Sequence, residues 1–285
     1  MTAKNPMQLK AYIKKMAAEK NISAQLVMQN YMLERLLERI SVSKYQSNLT
    51  LKGGFLISAI VGLDTRATMD LDTTIRGFDV THDTVRRIFE EIGATPIEDN
   101  VKFEVLNTSD IREGDDYPGI RVAMRANYPP LAVPLSVDVT TEDKITPQAI
   151  EYTFRLLFED RTIKIMAYNL ETVLAEKLET IVTRGIANTR PRDFYDIYIL
   201  YQLRGHECDR SVLKSALAET ASRRKSLAVM SNYKAVLNTI AESEQMKGFW
   251  RKYQKDFDYT KDIDFTDICH LIVQILDEIG FSEIQ

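Results

Sequence analysis

The chain has 285 residues and a formal net charge of −4, with 45% hydrophobic and 27% charged residues. This composition is ordinary for a globular protein with two modest domains or one large one, and the net charge gives no overall sign of nucleic-acid binding. No apolar run approaches the roughly 18 residues of a membrane-spanning helix, and residues 1–15 lack the apolar core of a signal peptide, so we expect a cytoplasmic protein without membrane partners.

Residues 6–41 predict two helices. Apolar residues recur there at helical spacing, and charged residues stand among them: Glu34, Arg35, Glu38 and Arg39. Ser23 is a suitable N-cap for the second helix, because its hydroxyl can accept a hydrogen bond from a backbone amide of the first turn. The pattern is typical of an amphipathic helix that covers a core.

A paired glycine, Gly53-Gly54, follows these helices. Glycine lets the backbone approach a ligand closely, since it has no side chain in the way. The next residues, 54–61, predict a short helix, whose N-terminus favours phosphate oxygens. The glycines therefore indicate a phosphate-binding turn.

The sequence then reaches Asp70-Leu71-Asp72, in a strand predicted over about residues 68–75. Alternate residues of a strand share a face, so Asp70 and Asp72 are expected side by side. Carboxylates this close repel each other unless a cation lies between them, and Mg²⁺ prefers oxygen ligands and often bridges to phosphate. An isolated D-x-D is usually a solvated strand edge, but with the glycines it predicts a site for a metal-bound nucleoside triphosphate.

Thr81 is the expected N-cap of a helix that runs through residue 92 and ends at a glycine. Residues 101–141 then change to a period of two, which predicts three strands with loops at 113–118 and 127–130. Asp138 lies on the polar face of the last of these strands. It is either a third metal-binding carboxylate or a solvent-facing residue.

Residues 154–158 and 162–166 predict a hairpin, and the remainder is helical. Asn169 is the expected N-cap of a helix to residue 183, in which Lys177 lies off the apolar stripe and either is solvated or faces a cleft. The next helix is predicted to run through residue 204, and Asp193 and Asp196 share one face near its start. These two carboxylates either belong to a functional site or simply complement the helix dipole. Further helices are predicted at about 210–222, 232–243, 245–254 and 264–279.

The C-terminal half differs from the rest in charge. Residues 177–255 contain 15 Lys and Arg against 8 Asp and Glu, a local net charge of +7. Such a surface suits a polyanionic substrate or is merely a solvated face. The two cysteines each lie near a histidine without a recognised zinc-binding spacing, so reduced thiols are expected at Cys208 and Cys269.

Several short motifs in this order resemble the AbiEii/AbiGii-type nucleotidyltransferase toxins, the toxin half of type IV toxin–antitoxin and abortive-infection systems. The resemblance covers most of residues 20–200. The matching segments are the leader helix at Val27 to Leu49, Leu51-Lys52-Gly53-Gly54, Arg66-x-Thr68-x-Asp70-Leu71-Asp72, Asp138-x5-Lys144, Tyr168-x-Leu170-Glu171-x3-Ala175-Glu176-Lys177-Leu178 and Arg192-Asp193-Phe194-Tyr195-Asp196. One difference is that the broader superfamily usually has Gly-Ser where this chain has Gly-Gly.

The resemblance implies an α+β protein with a polymerase-β-like nucleotidyltransferase fold, a mixed sheet in the N-terminal half and a helical C-terminal half. We accordingly expect a nucleotidyltransferase core with its helical leader in residues 1–165. Residues 166–285 are expected to form a helical domain that completes the active-site cleft.

The resemblance also implies roles for individual residues. Catalysis is expected of Asp70, Asp72, Asp138, Lys177 and Asp193, and nucleotide binding of Lys52, Gly53, Gly54 and Arg66. The three carboxylates Asp70, Asp72 and Asp138 are the expected ligands of Mg²⁺ or Mn²⁺, and Lys177 the expected counter-charge for the departing pyrophosphate. Asp193 is expected to position Lys177 or a substrate group.

The implied reaction is transfer of a nucleoside monophosphate from an NTP to RNA, with the tRNA 3′ end as the expected acceptor, which blocks translation in a toxin–antitoxin or phage-defence system. A separately encoded antitoxin with a winged-helix DNA-binding part is the expected partner. Two alternatives stay open on the sequence: an acceptor that is a protein or a small molecule such as an aminoglycoside, and a non-catalytic binding module of the same fold.

Overall fold

The computed structural model describes residues 5–111, 119–141 and 143–281. Within them the strands are β1 (Leu49–Lys52), β2 (Leu71–Ile75), β3 (Lys102–Asp110), β4 (Gly119–Tyr128), β5 (Leu131–Thr141), β6 (Ile150–Arg155) and β7 (Thr162–Ala167). The helices that precede β7 are α1 (Pro6–Glu19), α2 (Ala24–Val42), α3 (Gly53–Val61) and α4 (His82–Gly93). The helices that follow it are α5 (Leu170–Arg184), α6 (Pro191–Arg204), α7 (Arg210–Arg223), α8 (Leu227–Met230), α9 (Tyr233–Glu242), α10 (Glu244–Asp256) and α11 (Phe265–Glu278).

The described strands form one sheet in the order β3-β4-β5-β2-β1-β7-β6. β2 is parallel to β5 and β1 is parallel to β7, whereas the other neighbouring strands are antiparallel. The prediction of a mixed sheet in the N-terminal half is therefore confirmed. The order puts β5, β2 and β1 next to one another, so the segments that carry the predicted carboxylates and glycines are neighbours.

The chain divides into two compact units, residues 1–143 with 149–168, and residues 144–148 with 169–285. In the first unit, α2 packs against β5, β7 and α4, and α3 packs against β1 and β2. The second unit is helical, as predicted, and its core includes aromatic pairs such as Phe194 with Phe265 and Tyr195 with Tyr259, whose ring centroids lie 5.1 and 4.9 Å apart. The functional division at residues 165 and 166 stays a prediction.

The predicted caps are confirmed. Ser23 Oγ accepts a hydrogen bond from the Leu26 amide at 3.1 Å, and Asn169 Oδ1 accepts one from the Thr172 amide at 2.8 Å. Thr81 caps α4 in the same way. These short side chains satisfy amides that the first turn of a helix leaves without an internal acceptor, which is why local sequence alone locates these helix starts.

Three element boundaries differ from the predictions. The first strand of the hairpin, predicted at residues 154–158, is β6 at Ile150–Arg155. The leader helix ends at Val42 and residues 49–52 form β1, so the expected extension of that helix to Leu49 is wrong. β2 begins at Leu71 instead of residue 68, which leaves Asp70 just before the strand. The loop predicted at 113–118 lies outside the described residues.

The charged residues of α2 are buried, so the amphipathic interpretation is wrong for them. Arg35 has a fully buried side chain and pairs with Glu34 at 2.6 Å, with Glu38 at 3.0 Å and with Glu159 at 2.8 Å. Burial of an ion is tolerated only when partners compensate the lost hydration, and here three carboxylates surround one guanidinium.

A second buried pair extends this network along α2. Arg39 donates to both carboxylate oxygens of Asp99, at 2.7 and 2.8 Å, and to the Val101 carbonyl at 2.7 Å. The pair joins the helix to the segment that leads into β3. No helix among the described residues is long and apolar enough to cross a membrane.

Candidate active site

Four charged residues form a row across the centre of the sheet. Strand register pairs Lys52 of β1 with Asp72 of β2, Asp72 with Asp138 of β5, and Asp138 with Arg121 of β4. Laterally paired residues point to the same face of a sheet. The row therefore places two neighbouring carboxylates between two cations on one face.

The glycine turn lies against Asp72. Gly53 has φ +66°, and a Cβ atom there would overlap the Asp72 carboxylate. The Gly54 amide, in the first turn of α3, donates to Asp72 Oδ2 at 3.3 Å. The glycines are predicted to let a ligand come close to the backbone. In the structure the group that comes close is the Asp72 carboxylate, which lies at the N-terminus of α3, where negative charge is favoured.

Asp138 is bound by Arg121. Arg121 Nε and Nη2 donate to Asp138 Oδ1 and Oδ2 at 2.7 and 2.8 Å, so both carboxylate oxygens are engaged. The pKa of the Arg121 guanidinium lies above its ordinary value, first because of these hydrogen bonds and the charge of Asp138. The charges of Asp70 and Asp72 also raise this pKa, so all three predicted carboxylates stabilise the charged form of the Arg121 guanidinium.

Lys52 makes a contact that the sequence did not predict. Its Nζ atom lies 2.5 Å from Asp143 Oδ2, and Asp143 also accepts a hydrogen bond from Thr140 Oγ1 at 2.7 Å. Burial alone would raise the pKa of Asp143, but the charge and hydrogen bonds of Lys52 and the threonine hydroxyls hold it below its ordinary value. The Asp143 carboxyl is therefore favoured in its ionised form, and its charge holds the Lys52 side chain at its end of the row.

Arg66 lies next to the glycine turn. Its side chain is buried and donates to the Ala67 carbonyl. A Cβ at Gly54 would come within 3.3 Å of Arg66 Nη2 and 3.0 Å of Thr68 Oγ1. The predicted nucleotide-binding residues Lys52, Gly53, Gly54 and Arg66 thus lie in consecutive segments around β1 and the start of α3.

The carboxylates suit a hard divalent cation by their chemistry. Asp72 and Asp138 are lateral neighbours on parallel strands, and Asp70 is exposed at the residue before β2. Carboxylate oxygens are the donors that Mg²⁺ and Mn²⁺ prefer. In the part of the chain that the structure describes, no group of three or more His, Cys, Asp or Glu side chains is already arranged around an ion position. Both oxygens of Asp138 accept hydrogen bonds from Arg121.

The helical unit contains a second charged cluster. Lys177 Nζ lies 2.5 Å from Asp193 Oδ1 and 3.0 Å from Asp196 Oδ2, and the three side chains are 18%, 4% and 0% exposed. Lys177 comes from α5, while both aspartates come from the first two turns of α6. The second oxygen of Asp193 is buried and accepts no hydrogen bond from the described residues. One lysine is therefore held by two almost fully buried carboxylates.

Sequence reasoning missed Arg121 and Asp143 and did not assign Asp196 to the site. The i, i+3 spacing of Asp193 and Asp196 was a usable signal for the last. No local signal identified Arg121, because its position opposite Asp138 depends on the pairing of β4 with β5. Both cysteines are free thiols, as predicted.

A family model described as the nucleotidyl transferase AbiEii toxin of type IV toxin–antitoxin systems matches residues 35–272. A search of curated proteins found no match.

Among solved structures, a protein from H. pylori described as a nucleotidyltransferase has 12% sequence identity and a TM-score of 0.49, with 93% of this chain and 99% of that chain covered. A second Helicobacter pylori protein has 13% identity and a TM-score of 0.48, with 90% and 92% covered. A nucleotidyltransferase-like antigenic protein from Paracoccidioides brasiliensis has 18% identity and a TM-score of 0.43, with 70% and 91% covered.

Proposed function

Because the chain belongs to the AbiEii nucleotidyltransferase toxin family of type IV toxin–antitoxin systems, we propose that it transfers a nucleoside monophosphate from an NTP to RNA, with the 3′ end of tRNA as acceptor. One observation carries the proposal: Asp72 and Asp138 are lateral neighbours on parallel strands, with the glycine turn directly against Asp72. This combines a carboxylate site with a helix N-terminus, as a triphosphate substrate requires.

In the proposed reaction, Asp70, Asp72 and Asp138 would hold Mg²⁺ or Mn²⁺. When bound, the cation supplies positive charge to the triphosphate and makes the acceptor hydroxyl more acidic. As one of the residues that would hold the cation, Asp138 would favour loss of the proton from that hydroxyl. Gly53 and Gly54 would offer backbone amides to the β- and γ-phosphates, and the Gly54 amide would exchange its hydrogen bond to Asp72 for one to phosphate.

The cations of the chain have complementary roles in the proposal. Lys52 and Arg66 bind the nucleotide phosphates, and Lys177 neutralises charge on the departing pyrophosphate. Asp193 acts as a positioning residue for Lys177, which the 2.5 Å contact between them supports. A lysine held in one position loses less conformational freedom when it meets the transition state.

An RNA acceptor is favoured by the charge of residues 177–255, which carry 15 Lys and Arg against 8 Asp and Glu. Part of this charge is neutralised internally, since Arg224 pairs with Glu176 and Glu179. Arg210 and Lys234 also pair, with Glu278 and Asp277, so the excess of positive charge is that of the sequence segment as a whole. Positive charge in excess attracts a polyanion such as tRNA without specifying its sequence.

Family membership also implies an antitoxin partner. We propose that this antitoxin is encoded separately, that the reaction takes place in the cytoplasm, and that modification of tRNA blocks translation as a defence against phage.

The test is a labelling assay with purified protein, Mg²⁺, total tRNA and each α-³²P-labelled NTP in turn. We expect the wild type to label tRNA and Asp70→Ala to label nothing; the fold should be unaffected, because Asp70 is exposed. Asp79→Ala removes an exposed carboxylate a few residues after β2 and serves as the matched control, with wild-type labelling expected. Label in protein or in a small-molecule adduct would replace the RNA acceptor, and silence from every NTP on tRNA and whole-cell lysate would refute the transfer reaction.

A further inference from the structure

The ion pair between Arg121 and Asp138 occupies a carboxylate that the proposed reaction needs. Arg121 is 49% exposed, whereas the Asp138 side chain is only 14% exposed. Nε and Nη2, the two donors on one edge of the guanidinium, bind Asp138 Oδ1 and Oδ2 at 2.7 and 2.8 Å. A bidentate pair of this kind has defined geometry, so Asp138 is held in one orientation.

The pair also lies at one end of the charged row. Asp72, the lateral neighbour of Asp138, accepts a hydrogen bond from the Gly54 amide. Each of these two carboxylates is therefore satisfied by a donor from the chain itself. Without such donors, two carboxylates at neighbouring register positions would repel each other.

We propose that Arg121 is a positioning residue that holds Asp138 when no divalent cation is bound and competes with that cation for the Asp138 carboxylate. The inference rests on the function proposed above, because it assumes that the transfer reaction uses a cation bound at this row. It adds a role for Arg121, which is to release Asp138 as the cation binds.

The physical reason is an exchange of partners. A hard cation needs at least one oxygen of Asp138, and both oxygens are engaged by the guanidinium. The guanidinium uses one lone pair on each oxygen, so a cation that binds Asp138 either displaces one of these hydrogen bonds or uses a remaining lone pair. In both cases it brings a second positive charge close to the guanidinium. Replacement of Arg121 by a neutral residue removes both obstacles, so the affinity for the cation should rise.

The experiment measures Mn²⁺ binding to the full chain by electron paramagnetic resonance and thermal unfolding with and without Mn²⁺. Arg121→Gln should bind Mn²⁺ roughly tenfold more tightly than the wild type, equivalent to about 1.4 kcal/mol. Its metal-free form should unfold at a lower temperature, since the repulsion between Asp72 and Asp138 then loses the counter-charge of Arg121. Added Mn²⁺ should raise its unfolding temperature more than it raises that of the wild type.

The chain offers a matched control on the same strand. Arg125 lies four residues after Arg121, on the same face of β4, is 46% exposed and pairs with Glu104 at 3.5 Å. Arg125→Gln removes the same charge from the same strand without touching Asp138. Its Mn²⁺ affinity should equal that of the wild type.

Two further variants separate competition for Asp138 from a general change in charge. Arg121→Lys keeps the charge but loses the bidentate geometry, so its affinity should lie between those of the wild type and Arg121→Gln. In an Asp138→Asn background, Arg121→Gln should no longer raise the affinity, because the shared carboxylate is gone.

Equal Mn²⁺ affinity of the wild type and Arg121→Gln would overturn the inference, and so would the same gain in the Asp138→Asn background. Neither result touches the proposed function, which tRNA labelling by the wild type reports separately. Complete absence of Mn²⁺ binding by a wild type that labels tRNA would overturn the inference together with the proposed metal site. Absence of both binding and labelling would overturn the inference and the proposed function.

Discussion

Replacement of Gly53 by alanine tests whether the glycine turn and the carboxylate row form one site. Gly53 has φ +66°, a conformation that costs an L-residue about 1–2 kcal/mol. An added Cβ would also lie 2.7 Å from Asp72 Cβ and overlap the carboxylate. Because Asp72 Cβ is attached directly to a central strand, a change of rotamer cannot relieve this contact, and Asp72 or the turn must move.

Gly77→Ala is the matched control. Gly77 has φ +81°, so it bears a similar backbone cost, but its added Cβ would lie 3.4 Å from Asn48 Nδ2, an ordinary contact. The free energy of unfolding of Gly77→Ala should therefore be about 1–2 kcal/mol lower than that of the wild type, and the variant should keep full transfer activity. The difference between the two variants isolates the collision with Asp72.

We expect Gly53→Ala to be less stable than Gly77→Ala in urea unfolding and to lose about 100-fold in tRNA labelling, since displacement of a catalytic group by about 1 Å can have this effect. Both variants should be folded at the assay temperature, which circular dichroism checks. Equal labelling by the two variants would refute the link between Gly53 and Asp72. Equal stability of the two would refute the collision itself.

Three further predictions concern the buried charges. Lys177→Met leaves Asp193 and Asp196 without their shared cation and should destabilise the fold by about 3–5 kcal/mol in urea unfolding, with partial recovery when Asp193→Asn is added; no recovery would contradict the pairing. Arg35→Met should cost a similar amount, because the buried Glu34 loses its cation while Glu38 and Glu159 keep only Arg161, and a loss below about 1 kcal/mol would show that the network is dispensable. Burial raises the pKa of Glu34 from 4.5 to about 7, so the folded state binds more protons than the unfolded state between those values and Glu34 lowers stability as pH rises through them. Glu34→Gln should therefore flatten the fall in unfolding free energy from pH 4.5 to 7, and an unchanged slope would exclude this titration.

Local sequence was sufficient for most helices and strands. The caps at Ser23, Thr81 and Asn169 form with amides three residues away, so their chemistry is contained in a short segment. The period of two over residues 101–141 likewise predicts β3, β4 and β5, because alternation reports which residues face a core. The family motifs located the carboxylates, the glycines and Lys177.

The spacing of the charged residues in α2 did not predict that their side chains are buried. Arg35 is satisfied by Glu159, and Arg39 by Asp99, which lie 124 and 60 residues further along the chain. A charged residue is normally exposed, and only partners from remote segments make its burial tolerable. The same limit explains β1, which is four residues long and depends on pairing with β2 and β7.

The sequence by itself indicated the glycines, the aspartates and the lysine of the candidate site, since these residues have fixed chemical properties wherever they lie, but it did not indicate Arg121 or Asp143. Tertiary structure alone decided which of these groups meet. The row from Lys52 through Asp72 and Asp138 to Arg121 exists because β1, β2, β5 and β4 are adjacent in one register. Register is set by the packing of the whole sheet, and a shift of one residue would turn each side chain to the opposite face.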